Sequence, residues 1–499
     1  MYYTSTRDKS VRVTSAQAIA QGISKDGGLF VPCEIPKISL DFIKEISALD
    51  YIGRAKKILS LFLTDFSEEE IDYCVSNAYK EGKFSSPAVA PTVSLDETVS
   101  VLELWHGPTC AFKDMALQLL PYLLTTAAKK VADGKQIVIL VATSGDTGKA
   151  ALEGFKDVPS TQMLVFYPNE GVSAMQKLQM CTQEGENVNV CAINGNFDDA
   201  QTAVKQIFTG KEIGEKLAQK NMMFSSANSI NWGRLVPQIV YYFSTYCDLL
   251  NNSKIDLGDK VNIVVPTGNF GNILAAYYAK QMGLPLKTLV CASNSNNVLT
   301  EFLTQGDYNK NRDFYTTISP SMDILISSNL ERLLYHISGE DDAFVRKCMS
   351  ELTENGKYTV PGEILNLIKE TFCAGCCSDE DTKQTIGRVF SKRKYLCDTH
   401  TAVAVNVCYD FLEKTKDNTP IVVASTASPF KFSPAVLEAV GDESAVCQDE
   451  FRMVDELSRV TSWEVPAPLA GLKDKKIRFT KTVERTDMTD VVLGMLGIE

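Results

Sequence analysis

From residue 99 onward the chain repeats one pattern: a short apolar run rich in β-branched residues, then a polar or glycine-containing break, then a stretch of helix length. The runs are IVILVA at 137–142, MLVFY at 163–167, VNVCAI at 188–193, VNIVV at 261–265, TLVCA at 288–292 and IVVAS at 421–425. Runs this apolar have no polar face to offer water, so helices must cover both sides. That predicts buried strands of largely parallel sheets in an α/β fold. Such folds place ligands outside the carboxyl ends of their strands. Chemistry is therefore expected in the residues that follow each run.

A chain of 499 residues is too long for one ordinary core and implies two or three domains. The net charge of −12 argues against a phosphate-backbone partner, so no nucleic acid is expected. The start, MYYTSTRDKSVRV, lacks the apolar core of a signal peptide, and no apolar run is long enough to span a bilayer. A cytoplasmic protein without membrane contact is expected, with its fourteen cysteines mostly as thiols. Cys373, Cys376, Cys397 and His400 have a zinc-ribbon-like spacing, but a cysteine-rich chain produces such spacings by chance, and no metal is expected. Before the repeating pattern, LTDFSEEEIDYCVSNAY at 63–79 reads as a helix capped around Asp65–Phe66–Ser67.

Three strand ends carry hydroxyls and glycines. At 137–155, IVILVATSGDTGKAALEGF reads as strand, tight turn at 143–148, and a helix starting at Lys149. A nucleotide loop needs G-x4-G-K-[ST]; here Thr143 stands at the first glycine position and Ala150 follows the lysine, so Lys149 reads as a solvated helix residue. A helix N-terminus suited to a carboxylate or phosphate remains. At 261–283, VNIVVPTGNFGNILAAYYAKQMG has two glycines between strand and helix, either for close approach to a phosphate or for a packed turn. At 420–432, PIVVASTASPFKF places Ser425, Thr426 and Ser428 before a helix expected to be capped by Ser433 with Pro434 in its first turn.

One lysine stands apart. Lys113, in LELWHGPTCAFKDMALQLLP at 102–121, sits at the entrance to an apolar helix, where an anion is preferred. Asp114 fits that place. Lys113 is either an ordinary surface lysine or a desolvated amine able to form a Schiff base.

Together the ordered motifs DGGLFVP at 26–32, HGPTCAFKDMALQ at 106–118, ATSGDTGKAA at 142–151, NGNFDDAQ at 194–201, NSINWGRLVPQIVYY at 228–242, PTGNFGN at 266–272, DTHTAVA at 398–404 and STASPFKF at 425–432 resemble the threonine synthase family. These are pyridoxal-phosphate enzymes of the tryptophan-synthase-β fold type (fold type II), and the length suits the longer fungal and bacterial subgroup. The resemblance implies an N-terminal domain at 1–98, a large cofactor domain at 99–115 and 229–499, and a small α/β domain at 116–228. It implies pyridoxal 5′-phosphate held covalently by Lys113, its phosphate at Gly268, Asn269, Phe270 and Asn272, and its ring nitrogen at Thr426.

The implied substrate is O-phospho-L-homoserine, with threonine and phosphate as products. Ser144, Gly145 and Thr147 would bind its α-carboxylate, with Asp146 near the cofactor ring. Arg234, beside Asn228 and Ser229, is the choice for the departing phosphate, the competing reading being a structural ion pair. Ser428 stands where many members carry histidine, Cys110 replaces an apolar residue, and STRD replaces the common STRG. The DTHTAV motif claims His400 for the family pattern rather than for zinc, and His106 reads as a core hydrogen-bonding residue. A monomer is expected rather than a homodimer. The competing activities are a lyase on another phosphorylated amino alcohol and a hydroxy-amino-acid dehydratase of the same fold type.

Overall fold

The computed structural model describes residues 1–498 apart from 133, 144, 170, 171, 173, 196, 442–445 and 448. All six apolar runs are strands, and they divide between two sheets. The larger sheet has six strands in the order Phe372–Cys376, Leu286–Ser293, Val261–Pro266, Ile421–Ser425, Val99–Glu103, Thr92–Ser94. Every pairing is parallel except the last. The smaller sheet, in the order Thr482–Glu484, Val188–Asn194, Thr161–Pro168, Gln136–Ala142, Met222–Ser225, is parallel throughout.

Two domain limits read from the sequence are corrected by this topology. Thr92–Ser94 belongs to the larger sheet, although 1–98 reads as a separate N-terminal domain. The C-terminal segment, assigned to the large domain, instead adds Thr482–Glu484 to the edge of the smaller sheet. The helix Met488–Met495 that follows buries Met488 and Val492 in the core shared by Val138, Leu140, Phe166 and Ile193. A three-residue strand with the pattern T-V-E carries too little hydrophobic signal to announce its sheet.

The N-terminal part contributes a three-stranded antiparallel sheet and short capped helices. Glu68–Ala78 forms as expected: Ser67 accepts from the Glu70 N–H while Glu70 reaches back to the Ser67 N–H. This part is fastened to the rest around helix Trp232–Asn251, nearly all of whose residues are buried. Its Trp232 ring packs against Tyr3, Phe62 and Tyr278 at centroid distances of 5.3, 5.7 and 5.4 Å. Burial of each such ring contributes roughly 2–3 kcal/mol. Arg7 pairs with buried Glu331, and Arg54 with Asp248 at 2.7 Å, across the same junction. Among the described residues no helix is long and apolar enough to cross a membrane.

Candidate active site

Val261–Pro266, Ile421–Ser425 and Val99–Glu103 are adjacent parallel strands, so the segments leaving their carboxyl ends meet in one crevice. From the last of them the chain runs to Lys113, the first residue of helix Lys113–Leu117. The lead into that helix is pinned at several points. The Phe112 N–H donates to the Thr426 carbonyl at 2.8 Å. Asp114 accepts from the Thr109 N–H at 2.9 Å and from its hydroxyl at 2.7 Å. A β-carbon on Gly107 would lie 2.5 Å from the Asp114 side chain, so only glycine permits this turn. Burial pushes the Asp114 carboxyl up to about 6, against the pull of the Thr109 bonds.

The amine of Lys113 lies 3.4 Å from the Ser321 hydroxyl and 3.6 Å from Asp146 Oδ2. Its pKa is lowered, first by burial and then by the charges of Lys431 and Arg234, with Asp146 opposing. Lys113 is therefore a desolvated amine and not a surface lysine.

The loop after Val261–Pro266 leads into helix Gly271–Met282, which Gly283 closes. Phe270 holds a left-handed conformation, φ 61°, unusual for an aromatic residue. A β-carbon on Gly268 would lie 2.9 Å from the Ser321 carbonyl oxygen. Residues 327–329 clasp the loop from outside: the Ser327 hydroxyl donates to the Gly268 carbonyl at 2.8 Å and the Asn329 N–H to the Asn269 carbonyl at 3.1 Å. Asn272 accepts through Oδ1 from the hydroxyls of Tyr241 and Tyr242, while its buried Nδ2 has no partner among the described residues. An unspent amide donor beside a helix N-terminus suits a phosphate monoester.

In the third segment Thr426 is buried, and the Ser425 hydroxyl joins Trp105 and Thr401, each at 3.0 Å. The Ser428 hydroxyl is buried without a partner among the described residues. Ser433 does not cap the following helix: it is that helix's first residue, and its hydroxyl donates back to the Phe430 carbonyl at 2.9 Å. The cap position falls to Phe432, which makes no capping bond, and the Ser433 hydroxyl is spent within its own turn.

The smaller sheet faces this crevice with Gly145, Asp146 and Thr147; Ser144 lies outside the described residues. The helix starts at Asp146, earlier than the expected Lys149. Thr143 explains why this is no nucleotide loop: its hydroxyl takes the N–H groups of Gly145 and Gly148 at 3.0 and 2.9 Å, amides that would otherwise face a phosphate. Gly145 sits at φ 141°, and a β-carbon there would meet the Gln176 side chain at 2.4 Å. Lys149 is not solvated. It is buried, paired with Glu153 at 3.0 Å and bonded to Gln183. Packing against the segment just past helix Ala174–Cys181, which brings Gln183 to its amine, turns it inward.

Arg234 is buried in the first turn of helix Trp232–Asn251. One of its terminal nitrogens donates to the Ala227 carbonyl, and its Nε has no partner among the described residues. Burial lowers its pKa to about 10. Asn228, whose N–H donates to the Ser226 hydroxyl at 3.1 Å, and half-buried Ser229 lie in the loop just before it. The ion pair that the competing reading assigned to Arg234 is absent among the described residues.

Three contributors were not singled out from the sequence. Lys431, in STASPFKF, pairs with Asp146 Oδ1 at 2.7 Å. Gln176 donates to the same carboxylate oxygen at 3.1 Å. Ser321 lies over Lys113, its N–H held by His400 Nε2 at 3.1 Å. Burial would raise the Asp146 carboxyl, but the Lys431 and Lys113 ammonium groups outweigh it and hold it well below the usual carboxylate range. His106 is half-buried between Glu103 at 2.8 Å and the Ser85 hydroxyl at 2.9 Å, a hydrogen-bonding residue. Among the described residues no three His, Cys, Asp or Glu side chains gather as metal ligands.

Three stretches match known families: residues 2–79 "Threonine synthase N terminus", residues 85–427 "Pyridoxal-phosphate dependent enzyme", and residues 401–492 "Threonine synthase, C-terminal". Threonine synthase of Saccharomyces cerevisiae is 36% identical over 514 residues, covering 97% of this chain and 96% of that one. Human threonine synthase-like 1 is 38% identical over 436 residues, and the match covers 85% of this chain but 58% of the human protein. The crystal structure of PLP-bound threonine synthase from Brucella melitensis superposes with a TM-score of 0.88 at 37% identity, over 99% of both chains.

Proposed function

Because the chain belongs to the threonine synthase family of pyridoxal-phosphate-dependent enzymes, we propose that it converts O-phospho-L-homoserine and water to L-threonine and phosphate, the last step of threonine biosynthesis. Its fold is the α/β, mostly parallel-sheet fold of that family. One observation carries the reading: two buried cations, Lys431 and Arg234, act on the half-buried Lys113 amine with a single carboxylate, Asp146, close to it, beside a loop whose Asn272 amide has no partner among the described residues. A buried excess of positive charge is costly unless anions occupy the cleft. A phosphorylated cofactor and a phosphorylated substrate supply them.

The residues fit the cofactor. Asn272 Nδ2 is a donor without a partner among the described residues, and it stands in the first turn of helix Gly271–Met282, where unpaired N–H groups suit a phosphate. Gly268, Asn269, Phe270 and Asn272 would hold its phosphate, Thr426 its ring nitrogen, and Lys113 its aldehyde carbon. When bound, pyridoxal phosphate supplies an electron sink for charge developing at the substrate's α-carbon. Ser144 and Thr147 would orient the substrate's carboxylate; Gly145, expected to share this, has its N–H taken by the Thr143 hydroxyl and would shape the turn instead. A lysine amine freed of its proton at neutral pH can act as base. Lys113 Nζ would take the α-proton and, once it has passed that proton on, a β-proton as the γ-phosphate departs towards Arg234, Asn228 and Ser229. Two protons return at the γ- and α-carbons, and water supplies the β-hydroxyl and its remaining proton to the phosphate. The guanidinium offers that phosphate paired N–H donors.

The deciding experiment incubates the purified protein with O-phospho-L-homoserine and assays phosphate and threonine together. Both appearing in equal amounts supports the proposal. Phosphate without threonine would replace it by a lyase on phosphorylated amino alcohols, and neither product would overturn it. The reading includes a cytoplasmic monomer, checked by cell fractionation and sedimentation.

A further inference from the structure

Asp146 is shared between two lysines that reach it from different parts of the fold. Lys431 leaves the end of strand Ile421–Ser425 and meets Oδ1 at 2.7 Å, while Lys113 stands 3.6 Å from Oδ2. Lys431 is the better partner, being closer, fully buried, and further fixed by donating to the Thr109 carbonyl at 3.0 Å. Gln176 completes the Oδ1 side at 3.1 Å. The carboxylate is thus committed to Lys431, and Lys113 touches only its far oxygen. A carboxylate offset by one close ammonium stabilises a second, more distant one less than a free carboxylate would.

We propose that Lys431 is a positioning residue: by drawing the Asp146 carboxylate to itself, it leaves the Lys113 amine only the longer, weaker share of that counter-ion whenever the amine is free. The inference rests on Lys113 being the reactive amine of the proposed function, and goes beyond it by naming what keeps that amine reactive. The charged groups facing Lys113 are Asp146 from helix Asp146–Phe155, Lys431 from the turn after Ile421–Ser425, and Arg234 from helix Trp232–Asn251. Lys431 itself also faces Asp114 and the Cys110 thiol. Removing Lys431 would do two things at once: delete a like charge near Lys113 and release Asp146 to pair with it. Both favour the protonated, unreactive amine.

The test reads the pH dependence of Lys113 acetylation by acetic anhydride in the full-length, cofactor-stripped chain, followed by mass spectrometry of the Lys113 peptide. Lys431→Met should move the midpoint upward by about one pH unit or more. The double variant Lys431→Met/Asp146→Asn should bring it back towards the wild-type value, because the carboxylate that captured Lys113 is gone. Lys431→Arg, which keeps the charge, should stay near wild type. A midpoint unmoved in Lys431→Met would overturn the proposal. So would an upward shift that persists in the double variant, since general loosening of the site does not depend on Asp146. No threonine is measured, so a wrong substrate assignment leaves every outcome readable.

Discussion

The Nε2 atom of His400 accepts a hydrogen bond of 3.1 Å from the backbone N–H of Ser321. Its Nδ1 lies 2.9 Å from Asp398 Oδ1, which assigns the ring proton to Nδ1 and leaves Nε2 its lone pair. Asp398 also accepts from the N–H of His400 as the cap of helix Thr399–Thr415. A helix start on the large sheet is thereby coupled to the segment lying over both Lys113 and Gly268. His400→Leu leaves the Ser321 N–H without its acceptor and should cost about 1–3 kcal/mol, read by urea denaturation, together with weaker cofactor retention. His400→Gln, which keeps an acceptor, should lose less on both counts.

Arg234 carries a buried guanidinium whose Nε has no partner among the described residues and whose charge acts on Lys113. Loss of one charge-assisted bond to a substrate phosphate costs about 1.5–3 kcal/mol. Arg234→Ala should therefore raise KM or lower kcat by roughly tenfold or more while the visible absorbance of the bound cofactor stays intact. Steady-state kinetics beside an absorbance spectrum check this, and unchanged kinetics would remove Arg234 from the site.

At Gly268 the added methyl group of Gly268→Ala would meet backbone on two sides, the Ser321 oxygen at 2.9 Å and the Met322 Cα at 3.4 Å. Neither can swing away as a flexible side-chain end could. Overpacking of this kind costs about 1–3 kcal/mol. The expected result is a cofactor dissociation constant about tenfold higher, measured by titrating cofactor into the apo-protein. An unchanged constant would show that the loop has room to spare.

Stability should also report on His336, whose Nε2 lies 2.7 Å from the Tyr278 hydroxyl. Burial, aided by the nearby Arg332 charge, lowers its pKa to about 4. The unfolded chain, with an ordinary imidazole near 6.5, binds more protons than the folded one between these values. The stability held at pH 7 is therefore lost as pH falls from about 6.5 towards about 4, on the order of 2 kcal/mol. Urea midpoints taken across that range should fall more steeply for the wild type than for His336→Gln.

The strands could be read from the sequence because a run such as IVILVA has only one stable environment, buried on both faces. Lys113 and the glycines at 268 and 271 were legible for a related reason: a cation opening a helix and paired glycines between strand and helix each violate a local preference. Lys431 violates none. Its meaning depends on Asp146 arriving from the other sheet, and nothing near residue 431 announces that. Lys149 was misread because only packing decides which face of its helix turns inward. The Glu153 four residues on was visible, but such a pair serves a solvated helix equally well. Ser433 has the composition of a cap without its geometry.

The pairing of Thr482–Glu484 with Val188–Asn194 has a consequence for how the polypeptide is made. A ribosome delivers the other four strands of the smaller sheet long before this fifth one. Until then the main-chain groups along Val188–Asn194 face solvent uncovered, an invitation to a neighbouring nascent chain. Translation that stops short of residue 482 therefore releases a molecule with its lysine site encoded in full and one flank still adhesive.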